Sequence, residues 1–403
     1  MMEQHGNWRV ERVLMPYPFF AAALLSFLAC CLGGSILSRL HFIENLQDGI
    51  HPQIHPTTFH CLTAPQIQAF GQAYCRRDKI MVVIGGNSVL QGYGQGQNTW
   101  AKDLQKLLGA QYQVVNFAMG GANPGEFGAV AAEILGRDFE QLIFVTNTFP
   151  GRLNWPPPDG SGPYQYLLWD AYWKGMLTDD AARAEQLSAI LEARRTDPTF
   201  VELQRRMQLD RTLHFQDLWT TLAYTHLSTI WHQRADAWFL KPRRAYPTDV
   251  RPVHVPIEKR YGNHTAELKF LQDYLHDTRQ FWATLGNEAA TSPTIKTNCD
   301  FWFPEPCRKR TLFLITHHSP YYVNKLAPAE QAFYSSLGPQ TRHVLDQAGF
   351  VVLDVGRGRN ELDYVDVFHL SEEGAAKLAN EVAPRIRALA QQLGYHAAEG
   401  GMR

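Results

Sequence analysis

Four short segments of this 403-residue chain carry groups that fit acyl transfer: Gly86-Asn87-Ser88-Val89-Leu90-Gln91-Gly92, Asn116 through Gly120-Gly121 to Gly125, Val145-Thr146-Asn147-Thr148, and Asp366-Val367-Phe368-His369. That reaction needs a hydroxyl nucleophile, an imidazole to take its proton, a carboxylate to fix the imidazole tautomer, and donors for the tetrahedral oxyanion. Ser88 supplies the hydroxyl, His369 the base and Asp366 the orienter. The backbone N–H groups of Ser88 and Gly121 and the side-chain amide of Asn147 are the candidate oxyanion donors, glycine being a residue whose backbone a ligand can approach closely. Taken singly, each segment has an ordinary reading, because Gly-Asn-Ser is common turn chemistry and asparagine also caps and turns.

The elements that must position these groups alternate. Strong apolar runs predict strands at Ile80–Ile84, Tyr112–Met119, Gln141–Thr146, Thr311–Ile315 and Phe350–Val355. Helical patterns follow at Thr99–Leu108 (with Asn98 as its cap and Gly109 as its stop), Gly125–Gly136, Ala327–Gln347 and Glu372–Gln392. Near-continuous apolar strands alternating with amphipathic helices predict an α/β protein, a three-layer α/β/α sandwich on a five-stranded parallel sheet. In such folds ligands collect beyond the carboxyl ends of the strands, where all four segments fall.

In this order the segments resemble the SGNH/GDSL hydrolase superfamily, whose four blocks centre on Ser, Gly, Asn and His. The resemblance covers residues 80–148 and 311–392 and implies a flavodoxin-like hydrolase domain, with Ser88 as nucleophile, Ser88, Gly121 and Asn147 as oxyanion donors, and Asp366 and His369 as the D-x-x-H pair. Asp363 is a competing orienter whose spacing fits the family less well. Three positions depart from the family pattern: Asn87 stands where it has Asp, Val145 where it has Gly, and Thr148 where it has Asp.

Composition frames the rest. With 45% hydrophobic and 19% charged residues the chain can fill a core, which excludes a disordered protein; a net charge of −1 offers no basic field for nucleic acid. Residues 1–12 read as a cytoplasmic tail. Val13 to Ser38 carries no charge and exceeds the about 20 residues that span a bilayer, so a single transmembrane anchor is expected over 13–38. Arg9 and Arg12 precede it and only Arg39 follows before Arg76, which orients the N-terminus to the cytoplasm and the remainder to the periplasm or exterior. A cleaved signal sequence is the alternative, although the stretch is longer than the usual ~7–15-residue apolar core.

Residues 39–79 read as a stalk and lead-in, 149–310 as a helical cap insertion, and 393–403 as a tail. Trp155, Trp169, Trp173, Trp219, Trp231, Trp238, Trp282 and Trp302 all fall in the insertion, out of ten tryptophans in the chain. They serve either as the insert's own core or, at some positions such as Trp155, as a substrate-binding surface. His317 and His318, after the fourth strand, are further candidate substrate contacts, with a turn role as the ordinary reading. Cys61/Cys75 and Cys299/Cys307 are spaced for two local disulfides, with free thiols as the alternative. No metal-ligand spacing and no cofactor motif is present.

The resemblance implies a membrane-anchored serine esterase or O-acyltransferase acting on acyl esters, acetyl foremost, of cell-envelope glycans, with a membrane acyl-donor protein as a partner in the transferase case. A lipase or thioesterase working beside the bilayer, and a non-catalytic assembly or glycan-binding protein, are the other readings.

Overall fold

The computed structural model describes residues 17–37, 63–92, 100–155, 165–198, 200–201, 264–286 and 292–396. Their elements are α1 (Tyr17–Leu37), α2 (Ala64–Tyr74), β1 (Ile80–Ile84), α3 (Ser88–Gln91), α4 (Trp100–Leu108), β2 (Tyr112–Asn116), α5 (Phe127–Leu135), β3 (Leu142–Thr148), α6 (Tyr166–Trp173) and α7 (Ala181–Ala193). After them come α8 (His264–Leu285), α9 (Pro293–Trp302), α10 (Glu305–Arg308), β4 (Thr311–Thr316), α11 (Pro320–Val323), α12 (Pro328–Gln347), β5 (Val351–Val355) and α13 (Glu372–Gln392).

The five apolar runs form one parallel sheet in the order β2-β1-β3-β4-β5. Every residue of β1, β3 and β4 is buried, because alternate side chains meet helices on opposite faces. Met81, Val83 and Phe313 pack with Ile67 and Phe70 of α2 and Ile134 of α5; Ile80, Val82 and Leu314 pack with Leu104 of α4 and Val382 and Ile386 of α13. The direction of winding reverses between β1 and β3, which opens a crevice at their carboxyl ends.

Two strand ends differ from the sequence reading by more than one residue. β2 stops at Asn116 because the Asn116 side-chain oxygen accepts from the Ala118 N–H at 2.9 Å and turns the chain. β3 instead runs on to Thr148, so Asn147 is a strand residue in register with Leu314. The expected Asn98 cap and Thr99 lie outside the described residues.

The lead-in is more than a stalk. Thr63 and Gln66 form a reciprocal cap that starts α2, and Ile67 and Phe70 enter the core. The insertion's described helices are likewise fastened to the flank of the sheet. The Ala64 N–H donates to Asp170 of α6 at 2.7 Å, and Arg183 of α7 pairs with buried Glu133 of α5 at 2.8 Å. Trp155, Trp169, Trp173 and Trp302 are buried in this packing, while Trp219, Trp231 and Trp238 lie outside the described residues.

The Cys299/Cys307 disulfide is not formed: both are free thiols, as is Cys75. Cys299 points from α9 into the core, where burial pushes its thiol up to about 12, and Cys307 on α10 accepts from Arg310 at 3.5 Å. Cys61 lies outside the described residues. In α1 the described side chains end at residue 33, and among the described residues no helix is long and apolar enough to cross a membrane.

Candidate active site

The site begins where β1 runs out. Gly85 and Gly86 turn the chain, with Gly86 at φ +89° and so tight against β3 that a Cβ there would lie 2.3 Å from Asn147 Oδ1. Asn87 then caps α3, its Oδ1 accepting from the Val89 N–H at 3.0 Å, which sets Ser88 in the first turn of that helix. The far end of α3 is held as well: Leu90 O accepts from Asn116 Nδ2 at 2.9 Å and from Trp100 Nε1 at 2.5 Å.

The base comes from the loop between β5 and α13. His369 Nε2 is 2.7 Å from Ser88 Oγ, and His369 Nδ1 is 2.7 Å from Asp366 Oδ2. An ionised carboxylate only accepts, so the Nδ1 hydrogen faces Asp366 and Nε2 is left to accept from the Ser88 hydroxyl. Asp366 Oδ1 accepts from the N–H groups of His369 at 2.8 Å and Phe368 at 3.1 Å. Burial raises the Asp366 carboxyl, but the neighbouring His369 and these three hydrogen bonds outweigh it and hold the group below the ordinary carboxylate range. Asp363 is committed elsewhere, accepting from Lys377 Nζ at 2.6 Å and from the Asn360 N–H at 3.0 Å. The loop itself is propped by Ser319, whose N–H donates to Val367 O at 2.8 Å.

The oxyanion candidates divide. The Gly121 loop is tied to the Ser88 turn, the Met119 N–H donating to Gly86 O at 3.0 Å, and Gly121 is exposed with φ +81°. Asn147 is fully buried, and both hydrogens of its amide are in use: Nδ2 donates to Asn87 Oδ1 and to Thr316 Oγ1, each at 3.0 Å. Its Oδ1 accepts from the Asn87 N–H at 3.1 Å, which fixes the amide's orientation. The amide is therefore a strut joining the Ser88 turn to β3 and β4, and donation to an oxyanion requires one of its bonds to open. Thr316 was not marked by the sequence, since nothing local to it signals a partner 169 residues away. Thr316→Val, which leaves Asn147 a hydrogen without an acceptor, is expected to lower kcat about tenfold at near-constant KM, read by steady-state ester hydrolysis.

The remaining candidates are placed apart from the Ser88 hydroxyl's hydrogen bonds. Trp155 is 3% exposed and stacks on Phe313 with ring centroids 5.6 Å apart, which makes it part of the core. His317 Nε2 lies 2.5 Å from Asp354 Oδ1, and that carboxylate also pairs with Arg357 at 2.7 Å. His318 is buried, stacked on Phe149 at 4.7 Å and 3.3 Å from the Tyr334 hydroxyl. Among the described residues no cluster of three His, Cys, Asp or Glu side chains is placed to hold a metal ion.

Burial, followed by the nearby His317 and Arg152, pushes the His318 imidazole down to about 3. In the unfolded chain a histidine titrates near ~6.5, so below that pH the unfolded state binds the additional proton. The contribution to stability is complete above pH ~6.5 and is lost as the pH falls toward His318's folded value, by up to roughly 5 kcal/mol. His318→Phe, which keeps the ring stack, is expected to flatten that slope in urea denaturation between pH ~6.5 and ~4.

No family model matches the chain, and no curated protein matches it.

Proposed function

We propose that the protein is an SGNH-type serine hydrolase or O-acyltransferase that works on acyl esters of envelope glycans from a membrane-anchored position. The observation that carries the chemistry is the relay from Ser88 Oγ through His369 to Asp366, with 2.7 Å at each step, at the carboxyl edge of a parallel sheet. In this reading His369 takes the Ser88 proton as Oγ attacks the ester carbonyl. The oxyanion is met by the Ser88 and Gly121 N–H groups, with the Asn147 strut holding the turn that presents them. The proton on His369 then passes to the leaving alcohol, and the acyl-enzyme is resolved by water in a hydrolase or by a sugar hydroxyl in a transferase.

The anchor reading rests on the sequence, in which Val13 to Ser38 runs without a charge, and within the described part of α1 Tyr17, Phe19, Phe20, Leu24, Leu25, Leu28 and Leu32 stand exposed.

Hydrolysis of 4-nitrophenyl acetate by the full chain in detergent tests the chemistry. The reading expects turnover that Ser88→Ala abolishes; turnover undiminished in Ser88→Ala, or none in a folded protein, contradicts it. Partition of the full chain into detergent, lost when residues 1–38 are removed, tests the anchor.

A further inference from the structure

We infer that Phe270 and Phe368 form an aromatic platform for the alcohol portion of the ester, a glycan ring, beside His369; this rests on the hydrolase or transferase reading above. The Phe368 ring lies 4.2 Å, centroid to centroid, from the His369 imidazole, and the Phe270 ring 5.6 Å from Phe368. Phe368 is half-buried, and Phe270 is 45% exposed on a helix that buries Leu271, Leu275 and Thr278.

That helix is held rigidly. Leu271 and Leu275 of α8 are buried, Trp282 Nε1 donates to Gly151 O at 2.7 Å, and the Tyr274 hydroxyl donates to Pro150 O. At its start, His264 Nδ1 is 2.8 Å from the Tyr322 hydroxyl, which in turn donates to Glu267. The platform's inner side is closed by Phe149, edge-on to Phe368 at 5.4 Å. An exposed ring on a fixed helix is a preorganised contact, since no loop has to order around the ligand.

Chemistry decides which part of the ester lies there. Ser88 Oγ forms a bond to the acyl carbon while the bond from that carbon to the sugar oxygen breaks, and His369 Nε2 carries the proton from Oγ to that oxygen. The alcohol must therefore lie on the imidazole side and the acyl group toward the oxyanion donors. Phe368 lies against the imidazole and Phe270 against Phe368, so the pair stands on the side of the alcohol. Phenylalanine faces suit the C–H face of a pyranose ring, the role the tryptophan-rich composition had suggested for rings such as Trp155, which instead packs in the core.

The test compares glucose pentaacetate with ethyl acetate, which share the acetyl group and differ in the alcohol. Phe270→Ala is expected to lower the ratio of their kcat/KM values about five- to tenfold, chiefly through KM for the sugar ester. Leu107→Ala, an exposed apolar residue of α4, should leave the ratio as it is. An unchanged ratio in Phe270→Ala overturns the platform, as does a changed preference between 4-nitrophenyl acetate and butyrate with no change in the sugar ratio, which would put Phe270 on the acyl side. Calorimetric binding of glucose pentaacetate to Ser88→Ala, weakened by adding Phe270→Ala, separates the two readings. If wild type is inactive yet this binding depends on Phe270, the platform stands and the hydrolase reading falls; if wild type is active and binding ignores Phe270, the platform falls alone.

Discussion

Replacing Asp366 by Asn is expected to reduce kcat by about 10³–10⁴-fold with KM changed only a few-fold. The reason lies in the three hydrogen bonds Asp366 accepts: Oδ1 from the N–H groups of Phe368 and His369, and Oδ2 from His369 Nδ1. An asparagine that keeps its oxygen on the two backbone N–H groups turns its NH₂ toward Nδ1. The imidazole then places its hydrogen on Nε2, the atom that faces Ser88 Oγ at 2.7 Å, and can no longer accept the serine proton. Steady-state hydrolysis of 4-nitrophenyl acetate, with circular dichroism to establish folding, reads the effect. Loss confined to KM would mean that Asp366 shapes the binding surface and does not orient the base.

Gly86→Ala is expected to be nearly as damaging, by a different route, with ester hydrolysis reduced at least 10²-fold and the fold weakened by about 1–3 kcal/mol. A side chain at φ +89° is strained wherever it occurs, and here its Cβ would meet Asn147 Oδ1 at 2.3 Å, with Thr146 Oγ1 and the Asn147 backbone just behind. Neither contact yields easily, because the Asn147 amide is held by Asn87 and Thr316. Relief comes only from moving the Ser88 turn away from β3, which lengthens the 2.7 Å contact to His369. Urea unfolding and hydrolysis rates measured on the same protein separate the two effects. Full activity at reduced stability would show that the turn tolerates the shift and that its tight seat on β3 is not what aligns Ser88.

The sheet was legible because its strands are apolar throughout and separated by helical patterns, and the Ser88, Asp366 and His369 segments stood out because each is short and locally spaced. What depended on distant partners was not. The reading of Asn147 as a third oxyanion donor took account of its place after an apolar strand, but its hydrogens are claimed by Asn87 across the crevice and by Thr316 on the neighbouring strand. Spacing in sequence likewise suggested that Cys299 and Cys307 pair, yet the helix bearing Cys299 turns it inward while Cys307 meets Arg310. Of the insertion's tryptophans, Trp155, Trp169, Trp173 and Trp302 are core residues, whereas the exposed ring beside Phe368 is Phe270, one of 22 phenylalanines with no mark in the sequence. Helix α2 carries a start signal, Thr63 and Gln66 around Pro65, within a polar, proline-containing stretch that otherwise has the composition of a linker.

The most direct measurement is the intact and peptide mass of the full chain after treatment with a fluorophosphonate, with Ser88→Ala and His369→Ala treated alongside. A hydroxyl hydrogen-bonded to a neutral imidazole is nucleophilic, whereas an ordinary serine is inert to the reagent. The expected result is one adduct per chain on Ser88, absent from both variants. A folded protein that takes up no adduct, or takes it up equally in the His369→Ala variant, would contradict the activated serine on which the account rests.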